Sequence, residues 1–148
     1  VKHLMQPALS RLCGQTCLAM ILGVTTEKAV KLVRTGGGTR TKDLRGVLED
    51  HGYTCSPRLQ LGPPEGDGLF ILKVRFDDRP NTHWVVLARH GDKALYYDPE
   101  FPCAWYKLPW GRVSSHMRIS KPYSRWKSIL KKEYAHQMRK KKERETPA

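Results

Sequence analysis

Apolar residues in the first fifty positions recur at helical spacing, whereas those from about position 53 onward alternate in the manner of strands. A helix is predicted over 13–22, carrying Cys17, Leu18, Ala19, Met20 and Ile21 and ending at Gly23. Thr26 is a plausible N-cap for a second helix through Val33, with Ala29, Val30 and Val33 inward. A third is predicted over 41–51, with Leu44, Val47 and Leu48 inward and Gly52 as its stop. A short strand at 53–55 and a Gly/Pro-rich loop over 61–68 follow. The run 69–76 is the best candidate for a buried strand, and 81–89 and 93–99 are β-branched and aromatic enough to be two more, with 103–106 as a fourth. Helices first and strands second describe an α+β fold, with a cleft expected between the halves.

Beyond this body the pattern changes. Trp126, Ile129, Leu130, Tyr134 and Met138 recur at helical spacing on an otherwise basic segment, which predicts an amphipathic helix docking by one stripe. From Arg118 to Ala148 there are eleven Lys or Arg against three Glu, so eight of the net thirteen positive charges belong to this segment. The expected organisation is one domain of ordinary size over 1–117 and a basic helical tail over 118–148, fraying where Arg139, Lys140, Lys141 and Lys142 lack apolar support. That run suits a solvated face, a contact with nucleic acid or an acidic protein, or a membrane surface. No apolar run reaches the length of a membrane span, and the cysteines are few for a disulfide framework. A reducing, cytoplasmic setting is expected, with delivery as an effector domain of a longer protein as the variant.

Two features carry chemistry. Cys13 falls at the start of the first helix, where unpaired N–H groups and partial positive charge favour a thiolate and can hold an oxyanion. Cys17, one turn further on, is expected to pack in the core. Downstream, Gly91-Asp92 suits a two-residue hairpin turn; centred there, pairing partners sum to 183, so that Asp98 faces Val85 and His83 lies diagonally from Asp98 on the same side. An imidazole beside a carboxylate is the arrangement that orients a catalytic base. Pro99 ends the strand. Other motifs weigh less. The triplet Gly36-Gly37-Gly38 has neither the lysine nor the preceding strand of a phosphate loop, and is expected to be a flexible turn. Cys13, Cys17, Cys55 and Cys103 show no zinc-ligand spacing, so neither metal nor cofactor is expected, although a Cys55–Cys103 bridge stays open.

Taken in order, Gln6, Cys13-Gly14-x-x-Cys17-Leu18-Ala19-Met20-Ile21, His83-Trp84-Val85-Val86-Leu87 and Tyr97-Asp98-Pro99 resemble the C39 branch of the papain-like cysteine peptidases, over roughly residues 4–108. The resemblance implies a papain-like layout, an N-terminal helical half packed on a C-terminal antiparallel sheet. It also implies roles: Cys13 the nucleophile, His83 the base, Asp98 its orienter, and Gln6 part of the oxyanion hole. Leu12 stands where bacteriocin-processing members usually carry an acidic residue, and Gln6 precedes Cys13 by one residue more than their usual spacing.

Three classes of function follow. One is a cysteine peptidase-like hydrolase acting on peptide or amide bonds through an acyl-enzyme. Another is a papain-like bacterial toxin or effector domain, a deamidase, transferase or nuclease whose tail binds nucleic acid or an acidic partner. The last is a non-catalytic polyanion-binding module.

Overall fold

The computed structural model describes residues 1–76, 81–108, 112–122 and 124–145. Its first half is helical: α1 (Cys13–Leu22), α2 (Thr26–Val33) and α3 (Thr41–Asp50). The second half is built on six strands, β1 (Thr54–Cys55), β2 (Gln60–Leu61), β3 (Gly68–Arg75), β4 (Thr82–His90), β5 (Lys93–Tyr97) and β6 (Arg112–Ser120), closed by α4 (Trp126–Glu145). All pairings are antiparallel in the order β1-β6-β3-β4-β5, with β2 also on β6. The fold is α+β.

Side-chain alternation divides the sheet into two faces. Leu69, Ile71, Trp84, Val86, Ala88, Leu95, Tyr97, Met117 and Ile119 meet the helices, sharing one core with Leu18, Met20, Leu44, Leu48 and Leu130. Phe70, Leu72, Val74, Phe76, Val85 and Leu87 form a smaller cluster on the opposite face. From Gly14 to Ile21 every residue of α1 is buried, so this helix is the centre of the core and reaches the surface at its ends. Gly14 is required there: a Cβ would stand 1.9 Å from Thr39 Oγ1 and 3.3 Å from Leu44 Cδ2.

The inward positions Leu44, Val47 and Leu48 of α3 are buried as their spacing predicts, whereas in α2 Ala29 is buried and Val30 and Val33 are half-buried. The cap of α2 is Thr25 rather than Thr26; its hydroxyl accepts the Lys28 N–H at 3.1 Å, and Thr26 is the first helical residue. The expected strand over 103–106 is a single bridge between Trp105 and Tyr96. The fourth long strand is β6, which occupies the interior of the sheet between β1 and β3 and runs through the boundary expected at 117/118. Its signal is in the sequence: Val113, Met117 and Ile119 alternate with Arg112, Ser114, His116 and Arg118. The basic residues on the alternate positions mask it when charge is weighed before periodicity.

The C-terminal helix docks on β4 and β5 by Trp126, Leu130 and Tyr134, with Gln137 buried beyond them, while Ile129 and Met138 of the expected stripe are half-buried outside the core cluster. Trp126 meets the His90 ring edge-on at 6.5 Å. Fraying at 139–144 is not observed: α4 stays helical to Glu145. Lys141 lies over the Tyr106 ring at 4.7 Å and 3.9 Å from Glu145, and Arg144 lies over Trp105 at 5.3 Å. These cation–π contacts supply the tertiary support that the segment's composition conceals. Residues 123 and 146–148 of the expected tail lie outside the described residues.

Because Leu130 is 1 % exposed within the shared core, Leu130→Ala is expected to lower unfolding free energy by about 2–5 kcal/mol, measured by urea denaturation. A loss below about 0.5 kcal/mol would make α4 an appendage. Gly14→Ala is expected to cost about 1–3 kcal/mol in the same assay, with Thr39 displaced.

Candidate active site

Cys13 is the first residue of α1, and Leu12, in the N-cap position, offers no side-chain acceptor to the first turn. The backbone N–H groups at this end therefore keep their hydrogen-bonding capacity and partial positive charge, beside a half-buried thiol. A Ser or Asp cap would have stabilised the helix by about 1 kcal/mol while competing for those groups.

The β4–β5 hairpin brings the other two groups together. Gly91, at φ 62, turns the chain, and the register pairs Val86 with Tyr97, Leu87 with Tyr96 and His90 with Lys93. These pairs sum to 183 as the turn position predicts. His83, near the start of β4, and Asp98, just past the end of β5, thus meet as diagonal neighbours, and His83 Nε2 donates to Asp98 Oδ1 at 2.6 Å. Both residues are buried. The same Asp98 oxygen accepts the Glu100 N–H at 2.9 Å, while the Asp98 carbonyl accepts the His3 Nε2–H at 2.8 Å and the Phe101 N–H at 3.1 Å. The aspartate is fixed by its backbone as well as by its partner. Phe76 packs on the imidazole with ring centroids 5.7 Å apart.

With Nε2 committed to Asp98, the second nitrogen of His83 is left for the cleft, whose wall Cys13 and His83 share. Burial alone would lower the His83 pKa, but hydrogen bonds to Asp98 and Cys13, together with their charges, outweigh it and raise the value to about 9. Burial, with Cys13 and Asp98 adding to it, pushes the Cys17 thiol well up. Cys17 is fully buried and belongs to the core.

A cleft of about 340 Å³ opens on these groups, walled by Gln6, Arg11, Gly38, Thr39, Trp84 and Glu100. The N-terminal segment is tied across the site by the Gln6 N–H, which donates to the Pro99 carbonyl at 2.8 Å. The Gln6 side-chain amide, in the cleft wall, donates to the Ser10 carbonyl at 3.0 Å and to the Ser10 hydroxyl at 3.4 Å. Glu100 Oε1 lies 3.9 Å from His83 Nδ1.

The glycine triplet contributes structure that composition does not reveal. Gln15, fully buried, donates from Nε2 to the carbonyls of Thr35 at 2.9 Å and Gly37 at 2.7 Å, which ties this turn to α1 and holds Gly38 in the cleft wall. An amide residue two positions after Cys13, inside an otherwise apolar helix, was the available signal for this support. By contrast, Arg139, Lys140, Lys141 and Lys142 lie on α4 and take no part in the cleft; Lys141 is half-buried and the other three are exposed.

Among the described residues no group of three or more His, Cys, Asp or Glu could hold a metal ion, and no helix is long and apolar enough to cross a membrane. All four cysteines are free, including Cys55 and Cys103. No family model matches the chain, and no curated protein matches it.

A raised histidine pKa binds its proton more tightly in the folded state. Its contribution to stability is complete below the unfolded value of about 6.5 and is lost as pH rises through about 9. Unfolding free energy of the parent chain is therefore expected to fall over that window relative to Asp98→Asn, whose His83 should titrate at a lower pH by NMR. Identical His83 titration in both chains would separate Asp98 from the imidazole.

Proposed function

We propose that the chain is a cysteine hydrolase of papain-like type, similar to the C39 peptidases, acting on peptide or side-chain amide bonds. The observation that carries this reading is the 2.6 Å bond from His83 Nε2 to Asp98, which fixes the imidazole in a cleft that it shares with a thiol at a helix N-terminus. Oriented imidazole, buried carboxylate and helix-borne thiol are three separate requirements of thiol catalysis, met by three distant parts of the sequence.

In this reading the Cys13 sulfur attacks the carbonyl carbon of the substrate, forming the C–S bond as negative charge moves to the carbonyl oxygen. The Cys13 N–H holds that oxyanion, joined by the Gln6 amide as it exchanges its 3.4 Å contact with the Ser10 hydroxyl for the substrate. His83 gives its Nδ1 proton to the leaving nitrogen as the C–N bond breaks, which leaves a thioester on Cys13 and releases an amine. Water then adds to the thioester carbonyl, giving a proton to His83; the C–S bond breaks, and carboxylic acid and the Cys13–His83 pair are regenerated. Asp98 keeps Nε2 protonated and stabilises the imidazolium throughout. Leu12 suits this chemistry, because an acidic neighbour would oppose negative charge developing at the helix start.

Electrophilic peptidyl amide probes should label Cys13, and the acyl-thioester should be trapped on it by mass spectrometry after acid quench. Cys13→Ala is expected to abolish labelling and turnover, and Cys17→Ala to retain labelling with lower stability. Gln6→Ala should reduce kcat by about 10²-fold. Turnover should decline above pH about 9, as His83 loses its proton. Full turnover by Cys13→Ala would sink thiol catalysis.

A further inference from the structure

The docked position of α4 leaves a charged surface that the thiol chemistry does not use. Its apolar stripe is taken up by the sheet, and from beside that stripe round to the opposite side lie the exposed Lys127, Lys131, Arg139 and Lys142 at successive turns, with Ala135 between them; the Lys127 ammonium lies over the Trp126 ring at 5.8 Å. From Lys127 to Lys142 this row spans about 22 Å at 1.5 Å per residue. At its N-terminal end the row meets the tip of the β4–β5 hairpin, where Lys93, Lys127 and Lys131 line a cavity of about 200 Å³ together with His90, Ser128 and Leu130. Asp67 lies on the His90 side of this cavity, 3.2 Å from the imidazole. Among the described residues, Lys93, Lys127 and Lys131 form no ion pair with a carboxylate. Three lysines lining one hollow concentrate positive charge there, and β5 and the first turns of α4 hold them in place.

We propose that this hollow and the adjoining row on α4 form a binding site for the phosphate backbone of double-stranded nucleic acid. Three observations select this partner. A length of about 22 Å faces about six phosphates of one strand, enough to engage Lys93, Lys127, Lys131, Arg139 and Lys142. The large apolar side chains left exposed are Met5, Leu9 and Leu61, none of them on α4; the face therefore has nothing to insert into a lipid surface and lacks the apolar centre of a protein interface. The nearby aromatic rings are occupied: Trp126 and Tyr134 turn toward the core, and Lys141 and Arg144 cover Tyr106 and Trp105. Bases have no platform on which to stack, so a continuous backbone is read rather than a single strand. From His83 to His90 the hairpin extends about 24 Å, which places this site away from the cleft as a tether and not as a subsite.

The test is fluorescence anisotropy of the full chain with labelled 20-base-pair DNA and RNA duplexes between 50 and 200 mM KCl. The expected log–log salt slope is about −4. Replacing Lys93, Lys127 and Lys131 by Gln should bring that slope toward zero by about 2.7 and weaken binding at least tenfold at 50 mM. A control removing the same charge from α2 and α3, K28Q/K31Q/K42Q, should change neither appreciably. R139Q alone, a fully surface change, should reduce the slope by about 0.9. Equal affinity for the two duplexes supports backbone recognition, and a preference for one supports the site while naming its source. Equal losses in the two triple variants, binding to vesicles of anionic lipid without binding to either duplex, or no duplex binding at 50 mM would each overturn the proposal.

Discussion

The register of one hairpin is the constraint on which the site depends. Gly91 adopts a left-handed backbone that begins a two-residue turn, and from that point each pair along β4 and β5 is determined. Because strand side chains alternate, a slip of one residue would carry Trp84, Val86 and Ala88 out of the helix-facing core and send His83 and Asp98 to opposite faces. The core therefore enforces the register, and the register forms the His83–Asp98 bond. Burial makes that bond consequential: an unpaired carboxylate in this position would be costly, whereas one holding His83 and the Glu100 N–H is satisfied and oriented.

The same economy governs α1. The helix is interior from Gly14 to Ile21, so its packing against Thr39, Leu44 and the sheet fixes where its first residue lies. Cys13 inherits that precision without packing deeply itself. Gln15 extends it to the 35–38 turn, using one buried amide to secure two backbone carbonyls and thereby one wall of the cleft. On the far side, the N-terminal segment is anchored to the Asp98–Pro99 corner through His3 and Gln6, so both walls refer to elements that also hold Cys13, His83 and Asp98.

Helix α4 shows how a strongly basic segment becomes part of a fold. Its stripe of Trp126, Leu130 and Tyr134 belongs to the main core, while Lys141 and Arg144 settle on aromatic rings donated by the 105–106 segment. Its polar side contacts the core as well. Burial raises the pKa of Glu133, which faces Tyr97, the residue before Asp98. Structure and charge thus occupy largely different faces of one helix, which leaves Lys127, Lys131 and Arg139 exposed to solvent.

Much of this protein was legible in local pattern. The three N-terminal helices, the strands β3, β4 and β5, the hairpin register and the diagonal placement of His83 and Asp98 follow from periodicity and turn chemistry, because those depend on neighbours within a few residues or on one tight turn. The pattern also placed Cys13 at a helix start, and it put Leu130 and Trp126 on one stripe. What it left undecided depends on partners far away in the chain. Strand β6 belongs in the interior of the sheet through its pairing with β3, some forty residues earlier, and its alternating arginines hid that place. The end of α4 is helical because rings from another segment meet it, and the glycine turn is held because Gln15 reaches it. The union of thiol and imidazole is likewise tertiary: residues 13 and 83 have no local relation, and only the packing of a buried helix against a sheet of fixed register brings them together.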